Sequence, residues 1–282
     1  MNQLNLLVWA WIESVKDMMR LRVIAPFVLL GAAQLVVLLS LTQFFRPGLS
    51  WLLAPFVERF GGERALHYPE FFLRLPAIYD PVTITIDWIV GSFLLGVGVL
   101  LVWESASGTR MPDTWKRARS RYLGLLAVSL PTVLLLMLFL GVLPSFFPVL
   151  ETLRGNLLRL YGVAKLAVAA VIQALFVYSA MYVLIDGQTW RAALGSSLRL
   201  LARVPVATLL LVLAPNFAQI GTTWIRRRMD TVVTNLSPEM VVVVLGGIIC
   251  IYVLVNYIVV ASAVRVYGAR RSTQAGSVSW AA

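Results

Sequence analysis

Six predominantly apolar stretches divide this chain, at residues 23–41, 82–103, 122–143, 161–185, 204–225 and 240–264. Each is long enough to cross a hydrocarbon core of ~30 Å, which takes about 20 residues at the helical rise. Lipid offers no partner to a backbone N–H or C=O, so such runs must satisfy those groups internally, as a helix does. Their length does not fit the short alternating strands of an outer-membrane barrel. Composition agrees. Apolar residues make up 60 % of the chain and charged ones 13 %, with a mean hydropathy of +0.84, where a soluble domain carries roughly a quarter charged residues. The expected fold is all-α, a polytopic membrane protein with six transmembrane helices.

A different kind of stretch stands ahead of the first, third and fifth runs. Trp11 precedes Pro26, Trp115 precedes Pro131 and Trp190 precedes Pro205, at spacings of fifteen, sixteen and fifteen residues. In the first, Leu4, Leu7, Val8, Trp11, Val15 and Met18 recur at three- and four-residue steps while Glu13, Lys16, Asp17 and Arg20 take other faces. That is the pattern of a helix lying in the headgroup layer. In the third, Arg191, Arg199 and Arg203 lie near one stripe, and Trp190, Leu194 and Leu201 lean the other way. The simplest explanation is three hairpins, each preceded by an amphipathic interfacial helix, in repeats of about 4–103, 113–185 and 187–267. They form one domain, 1–271, followed by a disordered tail, 272–282. Each Pro is expected to bend the chain where the surface helix turns into the bilayer. Gly91, Gly96, Gly98, Ala170, Ala174, Gly246 and Gly247 in the even-numbered spans are expected to permit close helix approach.

The net charge of +11 is distributed unevenly about these spans. With the N-terminus inside, the inner segments hold fourteen basic residues against five acids, and the outer segments ten against eight. Both termini are therefore expected in the cytoplasm of a multi-pass inner-membrane protein. The outer Arg226-Arg227-Arg228 run opposes this placement, against four concordant inner segments. Basic residues beside spans meet anionic headgroups, so the charge points to the lipid bilayer and not to nucleic acid. The first twenty residues mix acids and bases and lack a cleavage site, so the first span is expected to stay in the mature protein. Cys250, the lone cysteine, excludes an intrachain disulfide and a cysteine metal cluster.

The segment from Asp186 to Leu201, with Ala193-Leu194 followed by Ser197 and a basic-apolar ending, resembles the inner helix of a loose group of bacterial six-helix membrane proteins. That group is related to the membrane domain of some glycerophosphodiester phosphodiesterases. The resemblance implies fold more than activity, and the attached phosphodiesterase barrel is absent. Ala192-Ala193-Leu194-Gly195 ending near Val204-Pro205 also resembles the coupling helix of importer-type ABC permeases. It departs there in the spacing of Gly195 and in Arg191, where that motif prefers Glu.

Catalytic motifs are lacking. His67, the only histidine, sits in an outer loop near Glu63 and Glu70, but without a second imidazole it reads as a solvated loop residue. No catalytic residue, metal ligand or cofactor is expected, and the protein is not read as an enzyme. Polar residues inside spans are better candidates, because each costs free energy in hydrocarbon unless it finds a partner or water. Asp87 and Lys165 lie at similar depths and either pair or, separately, meet interfacial water and snorkel outward. Gln34, Gln173, Asn216, Gln219 and Asn256 lie deeper and either bind a ligand or join helices. The apolar outer segments, 51–60 and 68–73 among them, rest on the outer leaflet, cap the bundle or dock a partner. The sequence points to a small permease or membrane subunit of a transport system. The alternative is a non-catalytic membrane scaffold or assembly subunit of a larger complex. Its interfacial or coupling helices would present Trp11, Trp115, Trp190, Arg191, Arg199 and Arg203, with a partner subunit on the cytoplasmic or outer face and an oligomeric state left open.

Overall fold

The computed structural model describes residues 2–143, 146, 156–218, 221, 222, 225, 229–235 and 237–275, and among these there is no strand. Among the described residues five helices are long and apolar enough to cross a membrane: Leu21–Thr42, Glu70–Ser107, Tyr122–Phe139, Leu160–Leu184 and Met240–Ser272. The second is one continuous rod of α4 (Glu70–Ile86), a π-helical turn (Asp87–Gly91) and α5 (Ser92–Ser107). Around these lie α1 (Gln3–Met18), α2 (Leu21–Thr42), α3 (Pro47–Gly61), α6 (Thr114–Ser120) and α7 (Tyr122–Leu136). They are followed by α8 (Asn156–Phe176), α9 (Ser179–Leu184), α10 (Trp190–Arg203), α11 (Pro205–Asn216), α12 (Met229–Asn235) and α13 (Met240–Ala275). The chain is an integral membrane protein.

At the start of the fifth expected span the chain turns sharply at Pro205, where a bend is expected. Helices α10 and α11 meet at a bend of 100°, and a sixth crossing is counted only if that bent pair is taken as one. Beyond the bend α11 covers 12 residues, and Ala218, Gly221, Thr222 and Ile225 after it are helical as well. The cause of the bend is local. Pro205 opens α11 without an N–H, and Val204 leaves helical geometry at φ −134° and ψ 56°. Helix α13 departs from the expectation, running to Ala275 and so past the expected start of the tail at Ser272. Residues 276–282 lie outside the described residues.

Each of the three Trp-opened stretches forms its own helix, α1, α6 and α10. Only in the third does proline sit at the turn. Pro26 and Pro131 lie within α2 and α7, and there the chain breaks earlier, at Met19-Arg20 and at Arg121, where charged side chains stop it short of the apolar run. Helix α1 has three distinct faces. Leu6, Leu7, Ala10, Ser14 and Asp17 are buried, Leu4, Val8, Ile12 and Val15 are exposed, and Asn5, Glu13 and Lys16 form the third.

The main core surrounds α5 and the last third of α13, whose residues 261–268 are all buried. Two expected glycines make very close approaches. A Cβ at Gly98 would stand 2.7 Å from the Phe27 ring, and one at Gly96 would stand 2.6 Å from Leu125. Gly91 and Gly246 make ordinary contacts and Gly247 faces open space, while Gly31, against Val253, was not foreseen. Gly98→Ala is therefore expected to cost about 1–3 kcal/mol by overpacking, and Gly247→Ala to be neutral. Melting of the detergent-solubilised variants checks this contrast.

A second core lies at the opposite end. Leu38 and Leu41 of α2, Phe44 just after it, Val57 of α3, Phe71, Leu75, Ile78 and Tyr79 of α4, and Val241, Leu245 and Ile249 of α13 form this core. The long connection between α2 and α5 is thus a packed cap over the bundle.

Candidate functional site

Asp87 opens the π-helical turn and points between α2 and α13. Gln34 Nε2 donates to its Oδ1 at 2.6 Å and the Tyr252 hydroxyl to its Oδ2 at 2.9 Å. Asn256 lies one helical turn from Tyr252, and the Tyr79 hydroxyl donates to the Gln34 carbonyl at 3.2 Å. Among the described residues no Lys or Arg pairs with this carboxyl. The site is deep. Tyr252 follows Met240 by twelve residues, about 18 Å along the helix, so Asp87 lies farther from the bundle's end than its place in the sequence suggests.

The π-helical turn explains how the rod is held here. A π turn shifts the backbone hydrogen-bond register and leaves groups for neighbours to satisfy. The Tyr122 hydroxyl donates to Ile89 O at 3.0 Å, Trp88 Nε1 donates to Leu126 O at 3.3 Å, and the Ser92 and Ser129 hydroxyls meet at 2.9 Å. Helix α7 thus clamps the turn from one side while α2 and α13 hold the carboxyl from the other.

The other intramembrane candidates fall elsewhere. Lys165 does not meet Asp87. Its Nζ lies 4.9 Å from the centre of the Tyr161 ring, because α8 packs on α7, α10 and α11 while Asp87 faces α2 and α13. Gln173 and Asn216 form a separate contact, Asn216 Nδ2 donating to Gln173 Oε1 at 3.0 Å and to Val212 O at 2.8 Å. The structure therefore joins Asn216 to Gln173, while Asp87 takes Gln34 and Tyr252, with Asn256 one turn from Tyr252 on α13. Gln219 lies outside the described residues.

Of the interfacial candidates, Trp11 packs against the main core. Trp115 and Trp190 are 45 % and 42 % exposed, the first against Phe93 and the second carrying the Arg191 guanidinium at 4.9 Å. Arg199 donates to the Ser196 hydroxyl at 3.1 Å, and Arg203 is exposed. A cap not anticipated lies beside them. Arg117 Nε and Nη2 donate to Leu184 O at 3.0 and 2.7 Å, closing the C-terminal end of α9 with a positive charge. Arg117→Ala is expected to cost about 1.5–3 kcal/mol, the range for hydrogen bonds to a charged group. A chemical-denaturation midpoint in detergent measures it.

The densest polar network joins α1 to α13. Asp17 pairs with Arg265, whose side chain is 3 % exposed. Arg265 Nη1 also donates to Ser14 Oγ at 3.1 Å and to Ala261 O at 3.0 Å. The Ser14 and Ser262 hydroxyls meet at 3.1 Å, Tyr257 donates to Ser14 O at 2.8 Å, and Ser105 of α5 donates to Asp17 at 2.8 Å. Close by, Arg22 pairs with Glu104 at 3.2 Å. Asp186 takes Arg271 at 3.0 Å and the Tyr267 hydroxyl at 2.6 Å.

His67 is exposed at the end of a short 3-10 turn. Beside it the Tyr68 hydroxyl donates to Glu239 at 3.3 Å. Desolvation first, then the Glu239 charge, push this phenol above its ordinary value. The Glu239 carboxyl is held below the usual carboxylate range by its own backbone N–H and then by Ser237. Comparison with protein-family models, curated proteins and solved structures finds no match to this chain.

Proposed function

We propose that the protein is a small permease, or the membrane subunit of a transport system, and that a proton enters and leaves at Asp87. The observation that carries this reading is a deep carboxyl held, among the described residues, by the neutral donors Gln34 and Tyr252. An aspartate near the centre of a bilayer costs ~2.5–3.5 kcal/mol on insertion scales, and such residues mark ion and proton pathways. With no basic side chain among the described residues fixing its charge, Asp87 exchanges a proton without breaking an ion pair. Tyr252 and Asn256 continue the polar path along α13, and the Gln173–Asn216 contact beside the bent α11 offers a second polar point. The chemistry is binding and translocation, without catalysis.

Both termini lie on the cytoplasmic side of the inner membrane, with α1, α6 and α10 as interfacial helices of three related units. The order of surface helix, break and apolar helix, repeated three times, supports this. The likeness of residues 186–201 to the membrane domain of glycerophosphodiester phosphodiesterases is taken as a relationship of fold.

A specific observation favours the alternative, a scaffold or assembly subunit. The end of the bundle around α1 and α13 is locked by the Asp17–Arg265 network and by Arg117 on α9, a rigidity suited to holding a partner. Reconstitution into vesicles on a solid-supported membrane separates the two. A pH step displaces charge in the wild type and not in Asp87→Asn if Asp87 carries protons; no displacement in the wild type speaks for the scaffold.

A further inference from the structure

Helix α3 has an apolar face that the bundle leaves uncovered. Its inner side is set by Val57 and Gly61, both buried, with Ser50 and Ala54 half-buried. Leu49, Leu52, Phe56 and Phe60 follow at steps of three and four residues and so form a separate stripe. Leu49, Leu52 and Phe60 are exposed by 37 %, 57 % and 48 %, and Phe45, just ahead of the helix, by 67 %, while Phe56 is half-buried against the second core. Gly48, Pro55 and Glu58, all exposed, occupy a third side together with Trp51, 74 % exposed, and Arg59 stands between that side and the stripe. One side is thus packed, one is apolar and uncovered, and the third sets Glu58 beside Trp51.

We infer that α3 is a lipid-docking helix, lying in the headgroup layer of the leaflet opposite α1 with its Leu49, Leu52, Phe56 and Phe60 stripe among the acyl chains. The connection between the two helices fixes the leaflet. Helix α2, with 22 residues, is about 33 Å long, one hydrocarbon thickness, so a helix at each of its ends meets a different surface of the bilayer. An exposed apolar stripe, with Trp51 and the charged Glu58 and Arg59 on the remaining surface, is the build of an interfacial helix, since Trp favours the headgroup level. Arg59, at the edge of the stripe, reaches phosphate while its stem stays on apolar surface. Because the other side of α3 packs on α4 and the 3-10 turn, the lipid surface holds the cap of the bundle. This placement stands whether or not Asp87 carries protons.

Spin labels test it in the full chain reconstituted into phosphatidylethanolamine and phosphatidylglycerol vesicles, with the exposed native Cys250 replaced by serine. Single cysteines replace Leu52, Phe56 and Phe60 on the stripe and Gly48 and Glu58 on the polar side. Collisional relaxation by oxygen, which concentrates in lipid, is compared with that by a water-soluble nickel chelate. Oxygen is expected to dominate at the three stripe positions and nickel at the other two. Equal nickel access on both sides would overturn the inference by placing the stripe in water. Low access to both agents at the stripe would overturn it too, by placing a second copy or another protein there.

Discussion

Arg265→Met lowers the stability of the protein by about 3–5 kcal/mol, because it leaves Asp17 buried without its charged partner. The Asp17 side chain is 12 % exposed, and its other cation, Arg20, is 64 % exposed at 3.3 Å. A solvated arginine of that kind contributes little, so it does not compensate. Ser14 Oγ also loses a donor. The double variant Asp17→Leu with Arg265→Met recovers most of the loss, since a buried pair replaced by apolar groups of similar volume is often neutral. Thermal melting in detergent, monitored by circular dichroism, gives the order: wild type and double variant high, Arg265→Met far below both. A single variant that melts with the wild type would mean that α1 is not held by this pair.

Asp87→Asn behaves in the opposite way, with stability kept and charge movement lost. The amide still offers an oxygen to the Tyr252 hydroxyl, and Gln34 can turn its own amide to match. It also removes an ionisable group from the hydrocarbon, so the variant melts at or above the wild type. Asp87→Leu leaves the Gln34 and Tyr252 donors without an acceptor, at a cost of about 1–3 kcal/mol for each buried unsatisfied group. Charge displacement after a pH step falls to that of empty vesicles in both. Comparing the two separates the carboxyl's role as a proton carrier from its role as an acceptor that joins α2 to α13.

Apolar run length made the spans legible, because a segment in lipid has few ways to satisfy its backbone. The bend at Val204 was legible as well, because Pro205 has no N–H to continue α10, whereas Pro26 and Pro131 sit inside helices that run on past them. Asp87 stood out by its charge, yet its partners did not, since pairing across helices depends on which faces pack. Lys165 was matched to it by depth alone, and α8 turns out to face α7, α10 and α11. A usable signal was present for Tyr252, one turn from Asn256 on the same face of α13. Another lay in the inner network: Ser14 and Asp17 share the three-residue spacing of Ser262 and Arg265, and the two pairs meet side by side. Arg117 looked like topological charge because its acceptors are carbonyls at a helix end, which no sequence pattern marks.

Infrared difference spectra of the reconstituted protein, recorded as the pH of the bathing solution is changed, report directly on Asp87. If it exchanges a proton with water, the carbonyl stretch of a protonated carboxyl grows as pH falls and is missing from the Asp87→Asn spectra. A spectrum in which that stretch is pH-independent, or survives unchanged in Asp87→Asn, would contradict a proton-carrying role and leave the protein a rigid membrane scaffold.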